Sequence, residues 1–199
     1  MLFKDIKLEA KNALVGNRLM FLLAILVAGV ISSVIPGLQI LIGPVVMAGL
    51  FFIGKKLLSD KKVDFELMFT FFKDLNHAIK LVAVQLLVML IVLGGFLLLI
   101  IPGYIFLFRY SQALFIMSEN KDMDIMDALK ESRRMMKGYK WNYFFFSLSF
   151  IGHILLGIIT FGIYLLYALP YINLSMYNYY LHLKVEHGIK DQKPNLLEE

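Results

Sequence analysis

Residues 81–108 read LVAVQLLVMLIVLGGFLLLIIPGYIFLF, and this stretch, which contains no charged side chain, decides the fold. A helix that crosses the hydrocarbon core of a bilayer needs about 20 apolar residues. Pro102 and Gly103 interrupt the stretch near its end, and proline followed by glycine is typical of a tight turn. We therefore predict a membrane-spanning helix, a turn and the start of a returning helix.

Two further runs on either side have the same character. Residues 19–54 carry no charge, and residues 141–183 contain two histidines and no other charged side chain. Pro36–Gly37 and Phe161–Gly162 divide these runs into halves. Because two of the resulting segments are short, four full spans with re-entrant segments is the alternative to six. The sequence predicts an all-α membrane protein with six transmembrane helices, at Leu19–Ile35, Leu38–Gly54, Leu81–Ile101, Tyr104–Ser118, Trp141–Thr160 and Ile163–Leu183.

The overall composition agrees with a membrane protein and excludes several classes of function. Hydrophobic residues make up 59% of the 199 and charged residues 18%, and there is no cysteine. Soluble domains carry about 25% charged residues. Disulfide and thiol chemistry are excluded. No P-loop, G-x-S-x-G or H-E-x-x-H motif and no cluster of metal-ligand spacing is present, so we expect no enzyme activity, cofactor or metal.

The distribution of lysine and arginine predicts the topology. All of the 20 except Arg109 precede the first segment, follow the sixth, or lie between segments two and three or four and five. The three opposite connections carry none. Because cytoplasmic loops attract lysine and arginine, both termini are expected in the cytoplasm, with the chain in a cytoplasmic membrane. The same rule explains the net charge of +5, so we expect no nucleic-acid partner.

The segments also suggest an internal repeat within a single membrane domain, residues 1–185. Units 1–60, 63–120 and 122–185 each read as an amphipathic lead-in helix, a span, a tight turn and a returning span, and a polar tail, 186–199, follows. Repeats in membrane proteins often frame a central site. The alternative is that any array of helical hairpins gives this pattern.

The second and third lead-in segments begin at an aspartate suited to capping a helix, Asp64 and Asp124 respectively. In the second segment the residues at helical spacing, which predict one apolar face, are Leu67, Met68, Phe71, Phe72 and Leu75.

The third lead-in segment carries the candidate interfacial contacts. Basic residues beside an apolar stripe are typical of a helix that lies in the membrane interface, where anionic lipids would bind them. Docking of a cytoplasmic partner is the alternative, and a membrane-protein partner or a homo-oligomer could also form. The candidate residues are Arg133, Arg134, Lys137, Lys140 and Trp141.

Five polar residues fall inside the predicted spans and form the candidate intramembrane site: Arg109, Gln112, Gln85, His153 and Asn173. Arg109 lies six residues after Gly103, which is about 9 Å along a helix. Charged residues at such depth are costly and usually functional. An anion or lipid headgroup could bind Arg109, or its side chain could extend to the outer headgroups. His153 is expected in a packing seam of small and polar residues, with proton relay as the alternative.

The third unit carries a resemblance to a known family. It reads SRRMMKGYKW at residues 132–141, FIG at 150–152, TFGI at 160–163, LPY at 169–171 and YY at 179–180. These motifs resemble the bacterial integral membrane family called domain of unknown function 975, over about residues 100–185. The chain is more distantly similar to the membrane portion of some glycerophosphodiester phosphodiesterases. The resemblance implies a six-helix bacterial membrane protein without an established activity.

The function that the sequence favours is non-enzymatic binding or transport of a small amphiphile, lipid or anion. The alternative is a membrane scaffold, assembly or immunity protein that acts through its cytoplasmic amphipathic helices.

Overall fold

A computed structural model of the chain describes residues 3–33, 37 and 39–188. Within these ranges the chain forms helices and turns and no strand, which confirms the all-α prediction for this part. The predicted turn residues Ile35 and Pro36, the start of the second span at Leu38, and the tail from residue 189 lie outside the described residues. The helices are α1 (Phe3–Ala13), α2 (Arg18–Ser33), α3 (Gln39–Asp60), α4 (Thr70–Lys73), α5 (Leu75–Leu98), α6 (Ile100–Arg109), α7 (Ala113–Glu119), α8 (Ile125–Met135), α9 (Lys140–Leu148), α10 (Ile151–Ile159) and α11 (Ile163–Glu186), with a short 3-10 helix at Phe65–Phe69 before α4.

Four helical stretches of the described chain are long and apolar enough to cross a membrane: Gln39–Asp60, Leu75–Leu98, Ile100–Glu119 and Lys140–Ile159. A fifth is added if α1 and α2, which meet at a bend of 96°, count as one broken span. Helix α11 would reach about 36 Å, but its tyrosine and asparagine side chains make it less apolar than these four. Length and composition therefore support four or five membrane-spanning helices.

The turn between α5 and α6 lies at Leu99, which is extended with φ −163° and ψ 154°. The prediction of a turn at Pro102–Gly103 is wrong by three residues. Pro102 instead occupies the first turn of α6, where the missing N–H has no cost because the first N–H groups of a helix have no intrahelical acceptor. Gly95 packs against this turn so closely that a Cβ there would lie 3.0 Å from the Cα of Gly103.

The other predicted turn glycines have the expected backbone. Gly37 and Gly162 have φ of 92° and 88°, in the left-handed region that favours glycine. Gly162 directly precedes α11, which confirms the turn predicted at Phe161–Gly162. The fifth predicted span, Trp141–Thr160, is broken at Ser149–Phe150 into α9 and α10.

The centre of the bundle is formed by α3, α7 and α11, which bury an aromatic cluster. The rings of Phe51, Phe115, Tyr177 and Tyr180 meet at centroid distances of 4.8–5.6 Å. Gly54 makes room for this cluster, since a Cβ there would lie 2.5 Å from the ring of Tyr177. This close packing fixes α3 against α11.

The three lead-in segments pack against the sides of the bundle. Helix α1 lies against α11, the 3-10 helix and α4 lie against α3, and α8 lies against α5 and α7. The capping predictions are confirmed. Asp64 accepts a hydrogen bond from the N–H of Glu66 at 3.0 Å, and Asp124 accepts one from the N–H of Met126 at 2.9 Å.

The second lead-in is a 3-10 turn followed by a four-residue helix rather than one amphipathic helix. Leu67, Met68 and Phe71 are buried, while Phe72 and Leu75 are exposed. The predicted single apolar face is therefore wrong. The 3-10 turn and the break at Asp74 rotate the chain, so the five residues do not share one side.

Candidate functional site

Arg109, the candidate for an intramembrane charge, is the last residue of α6 and is half-buried. Its guanidinium carbon lies 5.8 Å from the ring centroid of the neighbouring Tyr110. Its backbone carbonyl accepts a hydrogen bond from the hydroxyl of Ser132 at 3.1 Å. Ser132 belongs to the amphipathic helix α8, so α8 reaches the level of Arg109 instead of lying beyond the end of the bundle.

Gln112 is buried in the turn between α6 and α7, three residues after Arg109. Its Nε2 donates a hydrogen bond to the hydroxyl of Ser111 at 2.8 Å. Its Oε1 has no hydrogen-bond partner within the part of the chain that the structure describes. Arg109 and Gln112 are therefore neighbours in a polar break of an otherwise apolar stretch, Ile100–Glu119.

The other three intramembrane candidates lie elsewhere. Gln85 is exposed on α5. Asn173 donates from Nδ2 to the carbonyl of Leu169 at 2.9 Å, one turn earlier in α11. The ring of His153 lies 5.6 Å from the ring of Tyr171. Among the described residues, no hydrogen bond joins any of these three to Arg109 or Gln112, so the five do not form one cluster.

A groove between α6 and α9 brings together two of the interfacial candidates. Lys140 and Trp141 begin α9 and form one wall with Phe144. The groove has a volume of about 570 Å³, within the range of ligand pockets. The lining residues of α6 are Ile101, Tyr104, Ile105 and Phe108.

The sequence explains how one wall of this groove forms. Ile101, Ile105 and Phe108 recur at helical spacing, so they lie on one face of α6. The ring of Phe108 meets the ring of Phe144 at a centroid distance of 5.8 Å, and the groove opens on one side of this contact. Gly138, with φ 87°, lies in the turn that separates α8 from α9. The only charged group among the seven lining residues is the ammonium of Lys140.

The remaining interfacial candidates lie on and just after α8. Arg134 donates to Glu131 at 2.6 Å, an exposed pair on the same helix. Arg133 and Lys137 are exposed, and no ion pair to either occurs among the described residues. Lys130 and Arg134 of α8 are paired with Asp127 and Glu131, so the exposed positive charge here comes from Arg133 and, just after the helix, Lys137. Ala128, Leu129 and Ser132 are buried on the other side of α8.

Sequence reasoning missed a buried charge cluster where the ends of α3, α7 and α11 meet. The carboxylate of Glu119 accepts hydrogen bonds from Lys55 at 2.6 Å and from Lys184 at 2.7 Å. It also accepts one from the hydroxyl of Tyr180 at 2.7 Å. One signal in the sequence was available: a charged residue directly follows each of the three predicted returning spans. This pattern predicts that the three charged residues lie at the same depth in the membrane. It does not predict that they contact one another.

A second missed contact ties α1 to the break between α9 and α10. The ammonium of Lys7 donates to the hydroxyl of Ser149 at 2.6 Å and lies 4.2 Å from the ring centroid of Phe150. Two residues later in α1, Glu9 accepts hydrogen bonds from Asn178 at 2.8 Å and from His182 at 2.7 Å. Burial would raise the pKa of Glu9, but these two hydrogen bonds outweigh it and hold the pKa below its usual value.

Comparison with known protein families gives one finding. The family described as "Protein of unknown function (DUF975)" matches residues 80–187. The matched region includes α6, α8 and α9 and therefore both walls of the groove. No curated protein and no solved structure matches the chain. The distant similarity to the membrane portion of glycerophosphodiester phosphodiesterases thus stays an expectation.

Proposed function

Since the chain belongs to the family of unknown function DUF975, we propose a function from its own groove: it is a non-enzymatic membrane protein that binds a small anionic amphiphile, such as a lipid, between α6 and α9. The observation that carries this proposal is the pairing of an apolar groove with one ammonium group, that of Lys140. Apolar walls favour an acyl chain, and a cation favours a negative headgroup. We propose in addition that the protein transports the amphiphile that it binds.

The proposed setting is a bacterial cytoplasmic membrane, with six helical segments arranged as three hairpins and both termini in the cytoplasm. Support comes from the lysines and arginines, which flank the segments on one side only apart from Arg109. The cluster of Lys55, Glu119 and Lys184 supports the same orientation, because it gathers the charged ends of three returning helices at one level.

Trp141 strengthens the assignment of the groove to the membrane interface. Its side chain is exposed beside Lys140 at the start of α9. Tryptophan is enriched at the level of lipid headgroups because its ring is apolar and its indole N–H can donate a hydrogen bond. An amphiphile in the groove would therefore have its headgroup beside Lys140 and Trp141, and its chain along α6.

A direct experiment is lipid retention by the purified protein, measured by native mass spectrometry with phosphatidylglycerol and phosphatidylcholine. The Lys140→Gln variant is expected to retain phosphatidylglycerol about fivefold less well, because one lysine near the headgroups contributes about 1 kcal/mol. Phosphatidylcholine retention should change little.

The matched control is Lys11→Gln, which removes one exposed lysine from α1. Equal loss in the two variants would show that net charge, not the groove, governs retention, and the proposal would fail. An Ile105→Trp variant, which fills the groove without changing charge, is expected to lower retention of both lipids.

The scaffold hypothesis remains the second candidate, and the exposed charges of Arg133 in α8 and of Lys137 just after it favour it. Arg133 and Lys137 carry exposed charges that could bind an acidic surface on a partner protein. Charge reversal at both positions should abolish co-purification of such a partner and leave lipid retention in the groove unchanged. Unchanged co-purification would contradict this second candidate.

A further inference from the structure

Three phenylalanines outside the candidate spans point away from the protein. Phe65 is 36% exposed, Phe69 47% and Phe72 45%. The rings of Phe69 and Phe72 lie 6.3 Å apart between centroids. We call these three residues the phenylalanine face. Large aromatic side chains gathered at a surface in this way indicate an interaction with an apolar partner.

The orientation of this face is fixed by packing on the opposite side of the same segment. Leu67, Met68 and Phe71 are buried against the bundle. The ring of Phe71 meets that of Phe52 in α3 at 5.3 Å. The backbone of Met68 lies so close to α3 that a Cβ on Gly49 would come within 2.5 Å of its carbonyl oxygen. The segment therefore cannot rotate to bury the phenylalanines without losing these contacts.

An exposed apolar side of α5 follows the phenylalanine face along the chain. Leu75 comes directly after the break at Asp74, Ile79 lies four residues later in α5, and both are exposed. Met89, Leu93 and Leu97 continue the exposed apolar surface to the far end of the helix. Because α5 is one of the candidate membrane spans, this surface faces acyl chains in the proposed orientation. Lipid acyl chains would then surround the phenylalanines as well.

The depth of the segment agrees with lipid as its surroundings. Gly49, on which Met68 packs, precedes Lys55 by six residues, which is about 9 Å along α3. Lys55 belongs to the buried charge cluster at the inner end of the bundle. Interfacial segments place their apolar side about 5–10 Å into the boundary between headgroups and acyl chains. Met68, which packs on Gly49, lies at this depth relative to Lys55.

We propose that the phenylalanine face inserts into the cytoplasmic leaflet, with lipid acyl chains as its partner. The exposed side chains of Lys62 and Lys73, just before and just after Phe65–Phe72, would bind the phosphate groups above it. This inference rests on the proposed membrane orientation and not on any ligand in the groove between α6 and α9. It assigns the second lead-in segment an anchoring role through a face that differs from the one the sequence predicted.

Spin labelling tests the proposal, and the absence of native cysteine makes single labels possible. Cysteine is introduced at Phe69 or Phe72, and the labelled protein is reconstituted in vesicles of phosphatidylglycerol and phosphatidylethanolamine. Collision with oxygen, which concentrates in acyl chains, is compared with collision with a water-soluble nickel chelate. The Phe69→Cys and Phe72→Cys labels are expected to favour oxygen severalfold over a control label at Asp60→Cys, an exposed position at the end of α3.

A label at Leu93→Cys reports separately on the orientation of α5. If that label favours oxygen while the labels at positions 69 and 72 resemble the control at 60, the phenylalanine face is not in lipid and the proposal is overturned. If the label at 93 also favours nickel, the proposed membrane orientation fails as well. Dipolar broadening between labels at 69 would show that a second copy covers the face, which would also overturn the proposal.

Discussion

Glu119 and Lys184 form an ion pair of 2.7 Å whose side chains are only 5% and 8% exposed. The same carboxylate accepts a second lysine, Lys55, at 2.6 Å. The three residues come from α7, α11 and α3, and each lies at or near the end of its helix. The carboxylate of Glu119 therefore connects the three returning helices at one point, and both of the lysine contacts depend on its charge.

Replacing Glu119 with glutamine is expected to destabilise the protein strongly. Removal of one partner from a buried ion pair costs about 3–5 kcal/mol, and the variant would present a neutral amide to two lysines in place of the carboxylate. Thermal unfolding in detergent measures the effect. Glu131→Gln is the control, because its pair with Arg134 is largely exposed and exposed pairs contribute about 0–1 kcal/mol. Similar melting temperatures for the two variants would contradict a structural role for the cluster.

Gly49 in α3 and Gly29 in α2 are expected to respond oppositely to alanine. At Gly49 a Cβ would meet the backbone of Met68, which cannot move aside as a flexible side chain can. Overpacking of this kind costs about 1–3 kcal/mol. At the exposed Gly29 no atom of a neighbouring element lies within 4 Å of the added Cβ, so Gly29→Ala should stabilise α2 slightly through its higher helix propensity. The free energies of unfolding of both variants test this, and an unaffected Gly49→Ala would refute the close approach.

The attachment of α1 to α11 is expected to weaken in acid. Hydrogen bonds from Asn178 and His182 hold the pKa of Glu9 below its usual value of 4.5 despite partial burial. A carboxylate with a depressed pKa stabilises the folded state above its unfolded pKa, and this contribution is lost as the pH falls through the lower folded pKa. Stability of the wild type should therefore fall below about pH 4.5 partly through Glu9.

Thermal unfolding at pH 6 and at pH 3.5 checks this prediction. The Glu9→Gln variant should be less stable than the wild type at pH 6, and the difference should shrink at pH 3.5. Asp5→Asn, on the same helix, is the control. A difference between wild type and Glu9→Gln that stays constant with pH would show that the titration of Glu9 contributes nothing.

Local sequence signals predicted those features that depend on a few neighbouring residues. The caps at Asp64 and Asp124 are confirmed because an aspartate before a helix satisfies free backbone N–H groups wherever the helix lies. The turn at Gly162 is confirmed for a similar reason. The family resemblance over about residues 100–185 is confirmed by the match to residues 80–187.

Features that depend on packing could not be predicted in this way. Pro102 is equally compatible with a turn and with the first turn of a helix, so the sequence placed the break three residues too late. Lys55 and Lys184, the two lysines that pair with Glu119, lie 64 and 65 residues away from it along the chain. Lys140 and Trp141 were identified as interfacial residues, but the groove that they line depends on how α6 meets α9.

The most direct test of the central claim is photo-crosslinking with phosphatidylglycerol that carries a diazirine on its acyl chain. Binding in the groove between α6 and α9 predicts that the modified residues, mapped by mass spectrometry, concentrate at Ile105, Phe108 and Phe144. The modification should decrease in the Lys140→Gln variant. Equal labelling of exposed apolar residues on α2 and α10, with no enrichment in the groove, would contradict the account.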